Sequence, residues 1–285
     1  MRKKVLSGLR RMMVFSVLLL LVACGSKSQQ KVFGETVLRQ VASNDKEVEQ
    51  SVASDNDVDG LEIPVYKGKE KLSQTVKKRF SYVVSYNHDT KEPNWVAWTL
   101  TADHASGDVP RLDFMDDDDM PDPKGYLSDY YNSGYDRGHM CPAGDNKWDR
   151  KAMEDCFLIT NMCPQVNNLN RGVWNSIEQQ CRAWAKKYGK IYIVCGPIFL
   201  NQQHRKLGKN KVVVPEAFFK VILCLGDSPK AIGFVCRNVS QKGKKKTDFV
   251  NSVDEVERIT GYDFFSKLPD QVEDKVEAEA DISQW

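Results

Sequence analysis

The stretch Tyr135-Asp136-Arg137-Gly138-His139-Met140 places a base whose free pKa lies near neutrality beside a planar cation shaped for phosphate oxygens. Downstream stand Asn161-Met162-Cys163-Pro164-Gln165 and Asn170-Arg171-Gly172-Val173-Trp174, followed by Glu178 and Arg182. The amide oxygen of Asn170 is a hard donor, and Mg²⁺ keeps most of its waters while taking few protein ligands. Base, cation and metal ligand together are what phosphodiester hydrolysis requires. Singly each motif is weak. Arg-Gly-His is ordinary loop sequence, and Glu178 with Arg182 four residues on could be a surface helix pair contributing about 0.3–0.5 kcal/mol.

Positioning these groups takes a helix, strands and a core behind them. Trp174, Ile177, Cys181, Trp184 and Tyr188 follow one another at spacings of 3, 4, 3 and 4, which predicts an amphipathic helix over 171–188 that Gly189 ends. If it starts near Asn170, Glu178 lies about 12 Å along its axis and reaches a cation at Asn170 only through water. Residues 81–86 and 95–101 are β-branched and aromatic, and the polar stretch 87–94 between them predicts a hairpin. Residues 191–194, 218–225 and 232–235 are apolar runs of strand length, and 254–258 opens a last helix. Residues 103–130, with the acidic run 116–119, read as a long loop with a helical turn. The whole parses as one mixed α+β domain of about 200 residues.

Asp136-Arg137-Gly138-His139 resembles the D-R-G-H signature of the DNA/RNA non-specific endonucleases. The resemblance extends to Asn161-x-x-Pro164-Gln165, to Asn170 nine residues after Asn161, and to Glu178 and Arg182 eight and twelve residues after Asn170. It runs from about Leu61 to Pro269, taking in Asn94-Trp95 and Thr260-Gly261-Tyr262-Asp263-Phe264-Phe265. What it implies is an α+β, ββα-metal (His-Me finger) fold with a central, mostly antiparallel sheet flanked by helices. In that fold His139 ends a strand and Asn170 stands on the helix. The resemblance makes His139 the general base and Asn170 the sole direct protein ligand of Mg²⁺, with Mn²⁺ as a substitute. Arg137 and Arg182 become catalytic cations on the phosphate, and Glu178 orients metal-bound water. Asn161 is placed with the substrate-binding and supporting residues, and Arg111, three residues before Phe114, is a further phosphate-binding arginine. DNA and RNA are the implied substrates, 5′-phosphates the implied ends, and activity is expected to fall in acid as the base protonates. Met140 and Cys141 depart from the residues common after the histidine, and a thiol two residues from the base is open to oxidation or pairing.

The ends of the chain read differently. Arg2, Lys3, Lys4, Arg10 and Arg11 precede an apolar run over 12–22 too short to span a bilayer, which predicts a signal peptide over 1–23. Leu21-Val22-Ala23-Cys24 resembles the bacterial lipobox, making Cys24 the expected lipidation site and membrane anchor. Gly25 and Ser26 do not form an Asp-led inner-membrane retention signal, so the outer membrane of the cell envelope is the expected location. Residues 24–60 read as a polar tether, 61–269 as the nuclease domain and 270–285 as an acidic disordered tail.

Losing residues 1–23 removes five basic groups and no acidic one, turning the formal charge from +2 to −3. Net charge therefore predicts no polyanion binding, although residues 61–269 keep 31 basic against 26 acidic groups. No helix-turn-helix or RNA-binding aromatic signature is present, so weak sequence preference is expected, with the polymer held mainly at the cleavage site. Beyond Cys24 stand seven cysteines without a C-x-x-C pair, which argues against a zinc ribbon and requires at least one thiol free or bridged to another chain. Two other readings use the same residues: a lipid-anchored module that binds nucleic acid without cutting it, and a phosphodiesterase acting on small nucleotides.

Overall fold

A computed structural model of the chain describes residues 60–200, 203–226 and 228–285. The expected signal peptide, Cys24 and nearly all of the tether lie outside them. In chain order the strands are β1 (Val65–Tyr66), β2 (Thr75–Lys78), β3 (Val83–Asn87), β4 (Glu92–Thr101), β5 (Asp136–His139), β6 (Met162–Gln165), β7 (Lys190–Ile198), β8 (Lys206–Leu207), β9 (Val212–Val213), β10 (Ala217–Cys224), β11 (Lys230–Arg237), β12 (Val250–Asn251) and β13 (Tyr262–Asp263). The helices are α1 (Arg150–Cys156), α2 (Asn175–Tyr188), α3 (Val253–Thr260) and α4 (Asp270–Glu277). Seven strands form one sheet in the order β12-β11-β10-β7-β4-β3-β2, every neighbour antiparallel.

The central strands are covered on both faces, which is why residues 217–224 read as an almost unbroken apolar run. Alternation still sorts their side chains. Phe218, Ile222 and Cys224 join Ile177, Cys181 and Trp184 of α2 in one core, while Phe219 packs on Tyr262 and Phe264. Each large side chain buried this way contributes about 1.5–3 kcal/mol. Among the described residues no helix is long and apolar enough to cross a membrane.

Three expectations are corrected by packing. The β3–β4 turn is only residues 88–91, because Asn87 Oδ1 accepts from Asp89 N and Thr90 N at 2.8 and 3.2 Å and closes the chain early. Pro93 is tolerated in β4 because the register shifts beside it. The helix expected from residue 171 winds as a wide turn over Leu169–Trp174, with Gly172 at φ −99° and ψ −112°, and becomes regular only at Asn175. Finally, residues 270–285 are ordered rather than a disordered tail. Val272 and Val276, one helical turn apart on α4, are buried, and Trp285 packs on Trp184 with ring centroids 4.4 Å apart. Acidic composition hid two valines and a terminal tryptophan that bury enough surface to offset ordering.

Candidate active site

The signature lies on the hairpin β5–β6, where Arg137 faces Pro164, Gly138 faces Cys163 and His139 faces Met162. The glycine between arginine and histidine is a matter of space: a Cβ on Gly138 would lie 2.3 Å from Gln165 Oε1 and 2.7 Å from Gln165 Cβ. Asn161 then locks the chain leaving His139. Its Oδ1 accepts from Cys141 N, its Nδ2 donates to the carbonyls of Cys141 and Cys156, and its own carbonyl accepts from Met140 N, all at 2.8–2.9 Å. Asn161 is fully buried and absent from the cavity wall, a placement that suits the supporting half of its expected role and leaves it no surface to offer a substrate.

The other six predicted residues meet. Arg111, Arg137, His139, Asn170, Glu178 and Arg182 line one cavity of about 730 Å³. His139 is 9% exposed, with Phe114 and Phe157 at ring centroid distances of 5.4 and 4.9 Å, and its buried Nε2 has no hydrogen-bond partner. The same two rings carry the arginines: Arg137 lies over Phe114 at 4.3 Å and Arg111 over Phe157 at 5.1 Å. Burial, then the charges of Arg111 and Arg137, hold the imidazole pKa down at about 3. The imidazole is therefore neutral throughout the physiological range.

Asn170 is oriented by a residue of the signature to which the sequence had assigned no role. Its Nδ2 donates to Asp136 Oδ2 at 2.9 Å, and Arg171 Nε reaches the same oxygen at 3.2 Å. A carboxylate accepts only, so the amide must turn its nitrogen to Asp136, leaving Oδ1 as the face that can hold a cation. Glu178 lines the same cavity. Burial pushes its carboxyl up to about 7, with Lys220 opposing and Asp145 adding to the rise. Arg182 Nη1 donates to Asp145 Oδ1 at 2.8 Å, and Asp145 Oδ2 accepts from Trp98 Nε1 at 3.1 Å, so the guanidinium is held from behind. An amide oxygen, a nearby carboxylate and an open cavity fit one hard, largely hydrated divalent cation. The acidic cluster Asp254, Glu257 and Glu277 lies outside this cavity.

Two supporting residues escaped sequence reasoning. Asp145 had no motif around it. Lys220 is fully buried on the α2 side of β10, its ammonium 4.8 Å from the Trp98 ring and 4.7 Å from that of Trp174. Burial works against its charge, but Cys195, Cys181, Glu178 and Asp145 raise its pKa overall, so it remains a cation beneath the site. A single lysine inside the apolar run 217–224 was the available signal. The seven cysteines of the described chain are all unpaired and buried, and burial pushes the Cys141 thiol up, so it does not have the low pKa of a reactive thiol.

The cavity thus sets an unprotonated imidazole nitrogen, four guanidinium groups, the carboxyl groups of Asp136 and Glu178 and a presented amide oxygen around one space, a set suited to an anionic phosphodiester and a cation. Comparison with known proteins agrees. The family model described as DNA/RNA non-specific endonuclease matches residues 61–271. The chain is 34% identical over 220 residues to the mitochondrial nuclease of Saccharomyces cerevisiae, covering 68% of this chain and 66% of that one. It is 36% identical over 160 residues to human mitochondrial endonuclease G, covering 52% and 54%, and 33% identical over 215 residues to a nuclease of Nostoc sp., covering 70% and 76%. The match therefore spans slightly less than two thirds of the yeast relative and about half of the human one. A chain from the crystal structure of the EndoG/EndoGI complex superposes with a TM-score of 0.66 at 30% identity, covering 72% of this chain and 91% of that one. With the β5–β6 hairpin leading into α2 as the ββα finger, the chain belongs to the DNA/RNA non-specific endonuclease family.

Proposed function

We propose that the protein is a sugar-nonspecific endonuclease that hydrolyses DNA and RNA with one divalent cation and His139 as general base, leaving 5′-phosphate ends. The observation that carries this reading is the unpaired, neutral His139 Nε2 in a cavity shared with Asn170 and four arginines. A phosphodiester on Arg111 and Arg137 offsets the two charges that depress the imidazole, so substrate itself raises the basicity of His139 where a water must lose its proton. Asn170 Oδ1 would hold the cation, Mg²⁺ with Mn²⁺ as substitute, and Glu178 its waters; the cation's charge would stabilise the transition state and the leaving 3′ oxygen. Arg182, backed by Asp145, lines the same cavity and would meet the same phosphate. These groups read phosphate and not base edges, which favours weak sequence preference.

The reading is tested by incubating plasmid DNA and RNA with the protein in Mg²⁺ and in EDTA. Degradation of both polymers only with Mg²⁺ supports it; no cleavage of either with any divalent cation overturns it. A dinucleotide cut as fast as polymer would instead favour the small-phosphodiester reading.

The acid limb of kcat/KM, which reports groups of the free protein, is assigned to Glu178 and not to His139. An imidazole with a pKa of about 3 is deprotonated well before neutrality, whereas Glu178, with its pKa pushed up to about 7, is neutral below that value and then cannot hold a cation's waters. Activity is thus expected to rise with pH toward about 7, the cation's charge moving the limb lower. Lys220→Met removes a positive charge that lowers the Glu178 pKa, so the acid limb of kcat/KM is expected to move to higher pH. A pH–rate profile that leaves the limb in place would remove Glu178 from this role.

We also propose lipid attachment at Cys24, supported by the basic leader, the short apolar run and Leu21-Val22-Ala23-Cys24. Cys24→Ala is expected to move the protein from the membrane to the soluble fraction, and the outer membrane is the compartment to examine first. Membrane recovery unchanged by the substitution would exclude the anchor.

A further inference from the structure

A second cavity, of about 600 Å³, opens beside the active one and shares Arg171 with it. Its far wall is the segment Gln241-Lys242-Gly243-Lys244-Lys245-Lys246. Among the described residues none of these four lysines takes part in an ion pair. Like charges crowded in this way repel unless an anion lies between them.

The segment is attached to the catalytic hairpin at a fixed place. Asn238, at its root, donates from Nδ2 to the carbonyls of Pro164 and Pro215 at 2.9 and 3.0 Å and accepts from Val166 N at 2.9 Å. Asn168 Nδ2 donates to Ser240 Oγ at 3.2 Å. Pro164 is a β6 residue and Asn168 precedes Asn170 by two, so the lysines are tied to the elements that carry the site. Arg171 bridges the two spaces, its Nε on the Asp136 oxygen that also orients Asn170. No aromatic side chain lines the second cavity, so it has nothing on which a base could stack.

We propose that Lys242, Lys244, Lys245 and Lys246, with Arg171, form a subsite for the phosphate backbone of a polynucleotide, extending from the cleavage site past Asn168. This rests on the nuclease reading and adds to it a preference for polymers over short phosphodiesters. It also replaces the expectation that polymer is held mainly at the cleavage site, because a local lysine cluster acts on a polyanion regardless of the whole chain's net charge.

The test uses the full chain carrying Lys244→Gln, Lys245→Gln and Lys246→Gln together, with a Glu triple as the stronger version. On plasmid DNA the Gln triple is expected to raise KM about tenfold with kcat within twofold. The dependence of log(kcat/KM) on log[salt] should flatten by about 2 to 3, near 0.9 for each lost phosphate contact. Hydrolysis of a dinucleotide should be unchanged. Unchanged KM and salt slope in a wild-type background that cuts plasmid overturns the subsite, as does an equal loss on the dinucleotide. Fluorescence anisotropy of a labelled single-stranded oligonucleotide in EDTA reads the subsite without catalysis. Weaker, less salt-dependent binding by the triple supports the subsite even if the wild type cuts nothing, and equal binding overturns it even if the wild type is an active nuclease.

Discussion

His139→Ala is expected to lower kcat on both DNA and RNA by about 10²–10⁴-fold, the range for losing a positioned general base, with KM changed only a few-fold. The split follows from placement. In the proposed mechanism phosphate would be gripped by Arg111 and Arg137, whose guanidinium groups rest on Phe157 and Phe114 and keep those supports when the imidazole is cut away. The lost group is the unpaired Nε2. A structural role would show differently: truncating a ring packed between Phe114 and Phe157 would lower Tm and raise KM together. Kinetics at saturating Mg²⁺ together with a thermal melt separates the two, and a variant that retains kcat would move the base role to another residue. In the metal-free wild type the His139 ring should remain neutral down to about pH 3 by NMR.

Asn170→Ala is expected to reduce activity at fixed Mg²⁺ by about 10³-fold, equivalent to about 4 kcal/mol, because it removes the amide oxygen presented to the cation. Higher Mg²⁺ should recover part of the loss. Asn170→Asp should recover little, although it keeps an oxygen. The amide nitrogen now donates to Asp136 Oδ2 at 2.9 Å, and a carboxylate there would face another carboxylate. One of the two then takes up a proton or turns away, and the ligand face is lost. Activity measured against Mg²⁺ concentration for the three proteins checks this; an Asp variant as active as wild type would show that Asp136 does not orient the ligand.

The readable part of this protein was local. Period-3.6 spacing exposed α2, apolar runs exposed β7, β10 and β11, and Asp136-Arg137-Gly138-His139 with Asn170, Glu178 and Arg182 supplied the chemistry. Asn161 was left between a substrate-binding and a supporting role because an asparagine that binds substrate and one that bonds three backbone groups look alike in sequence. The chain after Pro269 was misread because average acidity conceals a few well-spaced apolar residues.

By itself the sequence determined the mixed α+β class and the family, and it singled out His139 and Asn170 as candidates for base and hard oxygen ligand, since these depend on residue type and on short-range spacing. Tertiary structure decided what those groups are worth. Phe114 and Phe157 come from segments distant from each other in the chain and converge on His139, Lys220 arrives from β10 beneath Glu178, and Asp145 backs Arg182 from 37 residues away in the chain. A pKa is set by burial and by charges within a few ångströms, and separation along the chain carries no information about either.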